Sequence, residues 1–241
     1  MENKATHIGL IIDGNRRWAK NNGVSVMDGY KSGLIALENV IHHFAGSEVK
    51  CISVYAFSSE NAKRPQAEKD AIMNIISGFI DKHPKNVALS FVGDEKYIPK
   101  ELLEKIHSFD NENKEFDMLV NICVGYGARN DIVRGARRLL ERSIDTLALC
   151  QEEGLTEDET SKQIDALFTE DGFKACLSTS FLPPLDMIIR FGGERRLSNF
   201  MLFEAAYSEI YFSDTLWPDA TPAEIEEFIE SFKNTKRNYG E

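Results

Sequence analysis

The residues best suited to chemistry lie near the start of the chain, in the segment HIGLIIDGNRRWAK from His7 to Lys20. The aliphatic run Ile8 to Ile12 has the length and composition of a buried parallel strand. The polar residues after it should therefore emerge at the carboxyl edge of a sheet, where open α/β folds bind ligands. Gly14 allows close approach of the backbone to an anion, Asn15 is expected to cap the following helix, and Arg17 neutralises negative charge.

Asp13 indicates which anion this segment would suit. A carboxylate is a poor neighbour for a bare phosphate. Beside arginines it fits better where a divalent cation, Mg2+, bridges it to a diphosphate. The same residues also fit a strand followed by an Asx turn and a solvated basic helix start. This second interpretation stays open at the level of the sequence.

Two more polar clusters follow predicted strands. Ser58, Asn61 and Arg64 come after the strand Cys51 to Phe57, and the loop FGGERRLSN follows Arg190 at the end of another strand. That loop and Arg190 place three arginines within seven residues. Arginine binds phosphate oxygens with a bidentate fork and stays charged at physiological pH, so the pattern indicates a diphosphate. A solvated basic turn is the alternative.

The apolar pattern of the rest of the sequence predicts the strands and helices that must position these clusters. Apolar runs predict six strands at His7–Ile12, Cys51–Phe57, Asn86–Val92, Met118–Val124, Asp186–Arg190 and Glu209–Phe212. Helical periodicity predicts helices at about Tyr30–Phe44, Glu68–Ile80, Lys100–Phe109, Asn130–Arg142, Thr160–Phe168 and Pro222–Phe232. The order indicates an α/β fold, a single domain over residues 1–241 with a mostly parallel six-stranded sheet flanked by helices. The acidic stretch Glu152–Ser161 is predicted to be a mobile insertion.

Composition narrows the class of protein. A formal net charge of −11 over 241 residues argues against nucleic-acid binding, which needs a broad basic surface. The four cysteines are widely spaced without a zinc-finger pattern, so we expect reduced core thiols. The sequence has no apolar run long enough to span a bilayer and no cleavable signal, and we expect a cytoplasmic protein.

At these residues the chain resembles the cis-prenyltransferases, the undecaprenyl diphosphate synthase family. The resemblance runs from His7 almost to the C-terminus, with the motifs in the family's order and at similar spacing. They read HIGLIIDGNRRWAK, YAFSSENAKRP, DMIIRFGGERRLSNF, AAYSEIYFSDTLWPD and KRNYG. The resemblance implies a homodimer that adds isopentenyl diphosphate to an allylic diphosphate with Mg2+ and forms a new cis double bond.

The motifs also imply residue roles. The catalytic residues would be Asp13 and Asn61, and Mg2+ would be held by Asp13 and Glu209. Arg237 and Gly240 match a tail that reaches across the dimer. The implied substrate-binding residues are Gly14, Asn15, Arg16, Arg17, Trp18, Tyr30, Ser58, Arg64, Arg190, Arg196 and Ser198. The helices at Tyr30–Phe44 and Glu68–Ile80 would form the walls of an apolar tunnel.

Several residues depart from the family's usual pattern. Arg16 replaces a glycine, Val26 an arginine and Tyr30 a histidine, all at the expected allylic diphosphate site. These changes resemble short-chain members, and also members that couple two dimethylallyl diphosphates head to middle. Ala56 is small where short-chain members place bulk. Irregular coupling, a non-catalytic partner subunit and a plain phosphate-binding module stay open as alternatives. A long product would need transient peripheral contact with a membrane for its release.

Overall fold

The central feature of the fold is a six-stranded sheet, seen in a computed structural model that describes residues 3–108 and 115–236. Its spatial order is β3-β4-β2-β1-β5-β6, and every pairing of neighbours is parallel. The six predicted strands are confirmed to within two residues at each end. The strands are β1 (His7–Ile11), β2 (Cys51–Ser58), β3 (Val87–Gly93), β4 (Met118–Tyr126), β5 (Met187–Arg190) and β6 (Glu209–Phe212).

Helices cover both faces of this sheet. One face packs its core against α2, α3 and α8, and the opposite face against residues from α5 and the segments around 182–188 and 200–205. The α-helices of the described residues are α1 (Asn15–Asn21), α2 (Val26–Phe44), α3 (Gln66–Lys82), α4 (Lys100–His107), α5 (Ala128–Glu152), α6 (Glu157–Leu167), α7 (Glu170–Lys174) and α8 (Pro222–Lys233).

Two helices are longer than their periodicity predicts. Helix α2 begins at Val26, four residues before Tyr30, because the Ser25 hydroxyl accepts a hydrogen bond from the Asp28 amide and caps it. Helix α5 continues ten residues past Arg142 to Glu152. The short helix α7 has no counterpart among the predicted elements.

The prediction of a mobile insertion at Glu152–Ser161 is wrong. This stretch ends α5, makes a turn and begins α6. The Thr156 hydroxyl accepts from the Glu159 amide while the Glu159 carboxylate accepts from the Thr156 amide, which forms a capping box. Three of the acidic residues that suggested a solvated insertion, Glu157, Asp158 and Glu159, instead lie in the first turn of α6, where the helix dipole favours negative charge.

The topology fixes where a ligand site can form. Strand β1 is buried along its whole length and lies between β2 and β5, so the chain winds to one side of β1 first and to the other side later. The loops after β1, β2 and β5 therefore leave the sheet at one carboxyl edge, at the point where the winding reverses. These are the three loops that carry the predicted polar clusters.

A row of buried polar side chains crosses strands β1, β2 and β4 of the sheet. His7 Nε2 lies 2.9 Å from Ser53 Oγ, and Asn121 Nδ2 donates to the same hydroxyl oxygen at 3.1 Å. His7 Nδ1 lies 2.8 Å from the Pro183 carbonyl oxygen, which can only accept, so Nδ1 carries the proton. The row satisfies these buried groups with a neutral imidazole, and burial lowers the pKa of His7.

We expect His7 to make stability depend on pH. Because its pKa is lower in the folded chain, the unfolded chain binds more protons on acidification. The stabilisation is therefore complete above pH 6.5 and decreases as the pH falls towards the pKa of the folded state. The slope from this one group is at most about 1.4 kcal/mol per pH unit. Urea unfolding between about pH 7.5 and 5.5 measures how the unfolding free energy changes with pH. This change should be smaller for His7→Gln than for the wild type.

The exposed His42 provides the matched control. His42→Gln should leave the pH dependence of the unfolding free energy as it is in the wild type. Equal slopes for His7→Gln and the wild type would show that His7 is not the group responsible.

The cysteines are found as expected. Cys51, Cys123, Cys150 and Cys176 are all buried and free. Burial raises the pKa of the Cys51 thiol to about 12, which makes it unreactive at neutral pH.

Candidate active site

A cavity of about 750 Å³ opens at the carboxyl edge of β1 and extends between α2 and α3. Its polar end carries one carboxylate, Asp13, and five cations: Arg16, Arg17, Lys20, Arg64 and Arg190. The rest of its wall is apolar and is formed mainly by Val26, Leu34, Leu37, Ala56, Ile72, Ile75, Ile76, Phe79 and Ile122. The two helices predicted to form the walls of an apolar tunnel both line this cavity.

Asp13 and Arg190 form the centre of the polar end. Arg190 Nη2 donates to Asp13 Oδ2 at 2.9 Å, and Arg17 Nη2 lies 3.4 Å from the other carboxylate oxygen. Arg190 is only 4% exposed, and its Nη1 donates to Ser198 Oγ at 2.7 Å and to the Arg196 carbonyl oxygen. Its Nε is buried without a hydrogen-bond partner in the described part of the chain. Arg190 is thus fixed in place with donor capacity to spare.

The turn after β1 depends on a glycine. Gly14 has φ of 114°, and a Cβ there would lie 3.0 Å from Leu216, so only glycine fits without strain. The prediction that Asn15 caps α1 is wrong, because Gly14 is the N-cap residue and Asn15 is the first residue inside the helix. Asn15 Nδ2 donates instead to the Ile12 carbonyl oxygen at 3.1 Å. Asn15 Oδ1 is buried and has no partner among the described residues.

Ser58 and Asn61 hold the loop after β2. The Ser58 amide donates to Asn61 Oδ1 at 3.0 Å, and the Asn61 amide donates to Ser58 Oγ at 3.2 Å. Both residues line the cavity. Glu60 in the same loop accepts from Asn199 Nδ2 at 3.0 Å, which ties the loop after β2 to the loop after β5.

The arginine-rich loop after β5 has a strained backbone. Ser198 and Asn199 have φ of 50° and 69°, a region that residues with side chains rarely adopt. The Tyr55 hydroxyl lies 3.2 Å from the Ser198 carbonyl oxygen and supports this conformation from below. Strain held by its surroundings is typical of binding sites, and here it directs Ser198 Oγ to Arg190.

A second cluster of polar and charged side chains, formed by Arg16, Tyr30, Arg64 and Glu68, lies where α1, α2 and α3 meet. Tyr30 hydroxyl donates to Glu68 Oε1 at 2.6 Å, and Arg64 Nη1 donates to the Tyr30 hydroxyl at 2.7 Å and to Glu68 Oε1 at 3.2 Å. Arg16 Nε lies 3.8 Å from the same carboxylate oxygen. Burial and the hydrogen bond to Glu68 raise the pKa of Tyr30, which therefore stays protonated.

Comparison with known proteins agrees with this geometry. Residues 11–240 match the family model for undecaprenyl diphosphate synthase. An isoprenyl transferase from Lactococcus lactis is 38% identical over 97% of this chain and 92% of its own length, and one from Leptospira interrogans is 36% identical over 99% and 95%.

The chain belongs to the undecaprenyl diphosphate synthase family. It is a prenyltransferase, as its isoprenyl transferase relatives are. The fold also agrees with this family. The chain superposes with a TM-score of 0.81 on the crystal structure of lavandulyl diphosphate synthase from Lavandula x intermedia in complex with dimethylallyl diphosphate. That protein is 29% identical, and the match covers 98% of both chains.

Most residues implied by the family motifs come together in the prenyltransferase. Those that line the cavity are Asp13, Gly14, Asn15, Arg16, Arg17, Tyr30, Ser58, Asn61, Arg64, Arg190 and Ser198. They come from the turn after β1 and α1, from α2, and from the loops after β2 and β5, so four separate parts of the chain build one site.

Five implied positions, with Glu209 treated in the next paragraph, lie outside the cavity or are not described. Trp18 donates from Nε1 to Asp219 Oδ1 at 2.7 Å and does not line the cavity. The Arg196 guanidinium pairs with Glu194 in solvent, so only its backbone carbonyl reaches Arg190. The tail positions Arg237 and Gly240 lie outside the described residues.

Glu209 is separated from Asp13 within one chain. It opens β6 opposite Met187, whereas Arg190, which contacts Asp13, ends β5 opposite Phe212. Glu209 therefore lies at the amino edge of the sheet and Asp13 at the carboxyl edge. Asp13 and Glu209 therefore do not form a common metal site within one chain of the prenyltransferase.

Two glycines that the sequence prediction omitted set the position of α1. Gly29 and Gly33 lie four residues apart on the face of α2 that packs against α1. A Cβ at position 29 would lie 2.5 Å from the Asn15 carbonyl oxygen, and one at position 33 would overlap Asn15 Oδ1. The glycine spacing within the segment GYKSG is the signal that could have revealed this close helix contact.

We expect Gly29→Ala to destabilise the prenyltransferase and to reduce its activity. The new methyl group must displace the Asn15 backbone, and overpacking of this kind costs about 1–3 kcal/mol. The matched control is Gly78→Ala on α3, where no atom lies within 4 Å of an added Cβ. This control should raise the unfolding free energy by up to ~1 kcal/mol, because alanine favours helix. Thermal and urea unfolding measure the stability of both variants. Equal changes in unfolding free energy for Gly29→Ala and Gly78→Ala would contradict the packing argument.

Proposed function

We propose that this protein is a cis-prenyl diphosphate synthase that condenses isopentenyl diphosphate with an allylic prenyl diphosphate to give a Z-polyprenyl diphosphate. The allylic carbon–oxygen bond breaks and its electron pair leaves with the diphosphate. A carbon–carbon bond forms to the isopentenyl unit, which loses a proton as the new double bond forms. Diphosphate and one proton are the by-products.

The single observation that carries this proposal is the amphiphilic cavity. Its polar end offers five cations and one carboxylate, and its remaining wall is aliphatic and aromatic. A prenyl diphosphate has the same division, with a charged head and a hydrocarbon tail. A cavity of about 750 Å³ is within the size range of small-molecule sites.

The arginines match the charge that develops in this reaction. Departure of diphosphate builds negative charge on its oxygens. Cations fixed in advance stabilise that charge more than they stabilise the bound substrate. Arg190 is fixed by Asp13 and Ser198, and we propose that Arg190 and the exposed Arg17 bind the diphosphate oxygens.

The residues present fit a bound Mg2+. The described residues contain no cluster of three histidine, cysteine, aspartate or glutamate side chains able to hold a metal. Mg2+ is often held by one or two carboxylates together with substrate phosphates and water, and Asp13 lines the diphosphate end of the cavity. Asp13 would hold the ion with the diphosphate, and the ion when bound would neutralise charge on the leaving group.

A homodimer is part of this proposal. Helix α5 exposes an apolar stripe of Val133, Leu140, Ile144 and Leu147, and the edge strand β6 exposes Ile210 and Phe212. An exposed apolar stripe on a helix and an edge strand with exposed apolar side chains each favour association with a second copy. Such a partner could also bring its own Glu209 towards Asp13. Sedimentation equilibrium should give twice the chain mass, and Leu140→Lys should shift the mass towards that of one chain.

We also propose a cytoplasmic location with transient membrane contact. No helix in the described part of the chain is long and apolar enough to cross a bilayer. A long polyprenyl product partitions into lipid, so its release calls for peripheral contact. Sedimentation with liposomes during turnover, compared with protein lacking substrate, tests this contact, and recovery only in the supernatant would contradict it.

One alternative function has an observation in its favour. The Lavandula structure that superposes on this chain is of a lavandulyl diphosphate synthase in complex with dimethylallyl diphosphate. Irregular coupling of two dimethylallyl diphosphates would use the same cavity with a second allylic substrate in place of isopentenyl diphosphate.

Mass spectrometry of the products distinguishes these functions. The purified protein would be supplied with Mg2+ and dimethylallyl, geranyl or farnesyl diphosphate, each with and without isopentenyl diphosphate. Products longer by five-carbon units, formed only with isopentenyl diphosphate, support the proposal. A product from dimethylallyl diphosphate alone selects irregular coupling. No product in any reaction would indicate a non-catalytic partner subunit or a phosphate-binding module.

A further inference from the structure

Glu68 is a largely buried carboxylate that contacts three side chains of the cavity without lining it. Its side chain is only 12% exposed. One oxygen, Oε1, lies 2.6 Å from the Tyr30 hydroxyl, 3.2 Å from Arg64 Nη1 and 3.8 Å from Arg16 Nε. All three partners line the cavity, whereas Glu68 lies behind them.

The three partners come from different parts of the chain. Arg16 lies on α1, Tyr30 on α2, and Arg64 in the segment between β2 and α3. Glu68 itself lies in the first turn of α3. One carboxylate therefore connects the helix that carries the Asp13 turn, the helix that forms one wall of the cavity, and the loop that closes its polar end.

The direction of the hydrogen bonds explains why the carboxylate is needed. Tyr30 donates its only proton to Glu68 and accepts from Arg64 Nη1 at 2.7 Å. Without the acceptor at Glu68, the Tyr30 hydroxyl is free to rotate, and Arg64 loses the carboxylate and keeps only a hydroxyl that is no longer held in place. The local balance of two guanidinium groups and one carboxylate leaves net positive charge facing the cavity.

This group lies beside the apolar part of the site. Tyr30, Leu34 and Leu37 share one face of α2, at spacings of four and three residues, and all line the cavity. If the hydrocarbon tail of a prenyl diphosphate extends along Leu34 and Leu37, its diphosphate lies next to Tyr30 and Arg64. The Arg190 and Ser198 group is held from the opposite side by Asp13 and the loop after β5.

We propose that Glu68 is a positioning residue for the allylic substrate: it holds Arg64 and Tyr30 in the orientation that binds the diphosphate of the prenyl chain. This inference rests on the proposed function. It assigns Glu68 no contact with substrate. Its effect is confined to the substrate whose tail occupies the apolar cavity.

Steady-state kinetics of Glu68→Ala and Glu68→Gln tests this role. Glu68→Ala should raise KM for the allylic diphosphate about tenfold, as expected from loss of charged hydrogen bonds, and change KM for isopentenyl diphosphate less than twofold. Glu68→Gln keeps an acceptor oxygen and should recover part of the loss. Asp70→Asn on the same helix removes an exposed charge that accepts a hydrogen bond from Gln66, and should match the wild type.

A double variant tests whether Glu68 acts through Tyr30. If it does, adding Tyr30→Phe to Glu68→Gln should cost little more than the larger single change. Losses that multiply would show independent roles and overturn the proposal. Equal increases in both KM values, or a fall in KM for the allylic substrate, would also overturn it.

Binding of an unreactive probe separates this inference from the proposed function. Calorimetry with dimethylallyl thiolodiphosphate needs no turnover. Weaker binding to Glu68→Ala than to the wild type supports the role of Glu68. Equal binding to both overturns it, while the proposed function stands. No binding to the wild type would contradict the proposed function, and the Glu68 assignment with it. Glu68→Gln keeps the test valid if the alanine variant unfolds.

Discussion

Replacing Asp13 with alanine is expected to reduce prenyl transfer by about 10²–10³-fold, which is the scale of losing one main electrostatic group in an active site. Asp13 Oδ2 accepts from Arg190 Nη2 at 2.9 Å, and Oδ1 lies 3.4 Å from Arg17. The change removes the one carboxylate at the polar end of the cavity and releases both arginines. It also removes the proposed ligand of Mg2+. Incorporation of labelled isopentenyl diphosphate measures the effect.

Two further variants make the Asp13 result specific. Asp13→Asn keeps the size of the side chain and an acceptor oxygen, so it should retain more of the Arg190 geometry while still losing most activity. Asp28→Asn removes an exposed carboxylate of α2 that pairs with Lys31, and should leave activity unchanged. Activity of Asp13→Ala within tenfold of the wild type, in a folded protein, would exclude Asp13 from the chemistry.

Replacing Ala56 with phenylalanine is expected to shorten the product by at least one five-carbon unit. Ala56 lies on β2 and forms part of the apolar wall, together with Leu37 and Ile76. A phenyl ring there would occupy space that a growing hydrocarbon chain needs. It would not fill the polar end of the cavity, where the diphosphate groups are proposed to bind. The first condensation should therefore continue, and chain elongation should stop earlier. Mass spectrometry of the products with a short allylic primer measures this shift.

The matched control adds the same ring outside the cavity. Ala166 is exposed on α6, so Ala166→Phe should leave the product distribution as it is in the wild type. Unchanged product length for Ala56→Phe, with normal folding, would show that the prenyl chain does not use this part of the cavity.

The sheet could be predicted well because of how buried parallel strands are composed. Strands covered on both faces are nearly continuous aliphatic runs, and the run at Ile8 to Ile12 is typical. Their carboxyl ends meet at one edge, so residues as distant in sequence as Asp13 and Arg190 could be expected to meet. The 2.9 Å contact between those two side chains agrees with that expectation.

Side-chain direction was harder to predict than position in the chain. Trp18 follows Arg17 directly, but consecutive residues of a helix point about 100° apart, so Trp18 contacts Asp219 instead of the cavity. The Arg196 side chain likewise points to solvent and contributes only its carbonyl oxygen. A sequence motif gives the order of its residues but not the direction in which each side chain points.

The supporting residues depend on tertiary contacts. Glu68 reads in the sequence as an ordinary acidic residue at a helix start. Arg64 lies only four residues before it, but the packing of α1 and α2 against α3 is needed to bring Arg16 and Tyr30 to it. Gly29 and Gly33 matter because α1 crosses α2 at that point. Glu209 depends on strand register, which places it at the far edge of the sheet from Asp13.

The most direct test of this account is a crystal structure of the protein with dimethylallyl thiolodiphosphate bound. We predict that the diphosphate will lie at the polar end of the cavity, in contact with the Gly14 turn and the side chains of Arg17 and Arg64. The hydrocarbon should point between α2 and α3 towards Leu37 and Ile76. A diphosphate bound outside this cavity, or a hydrocarbon directed into solvent, would contradict the assignment of the site.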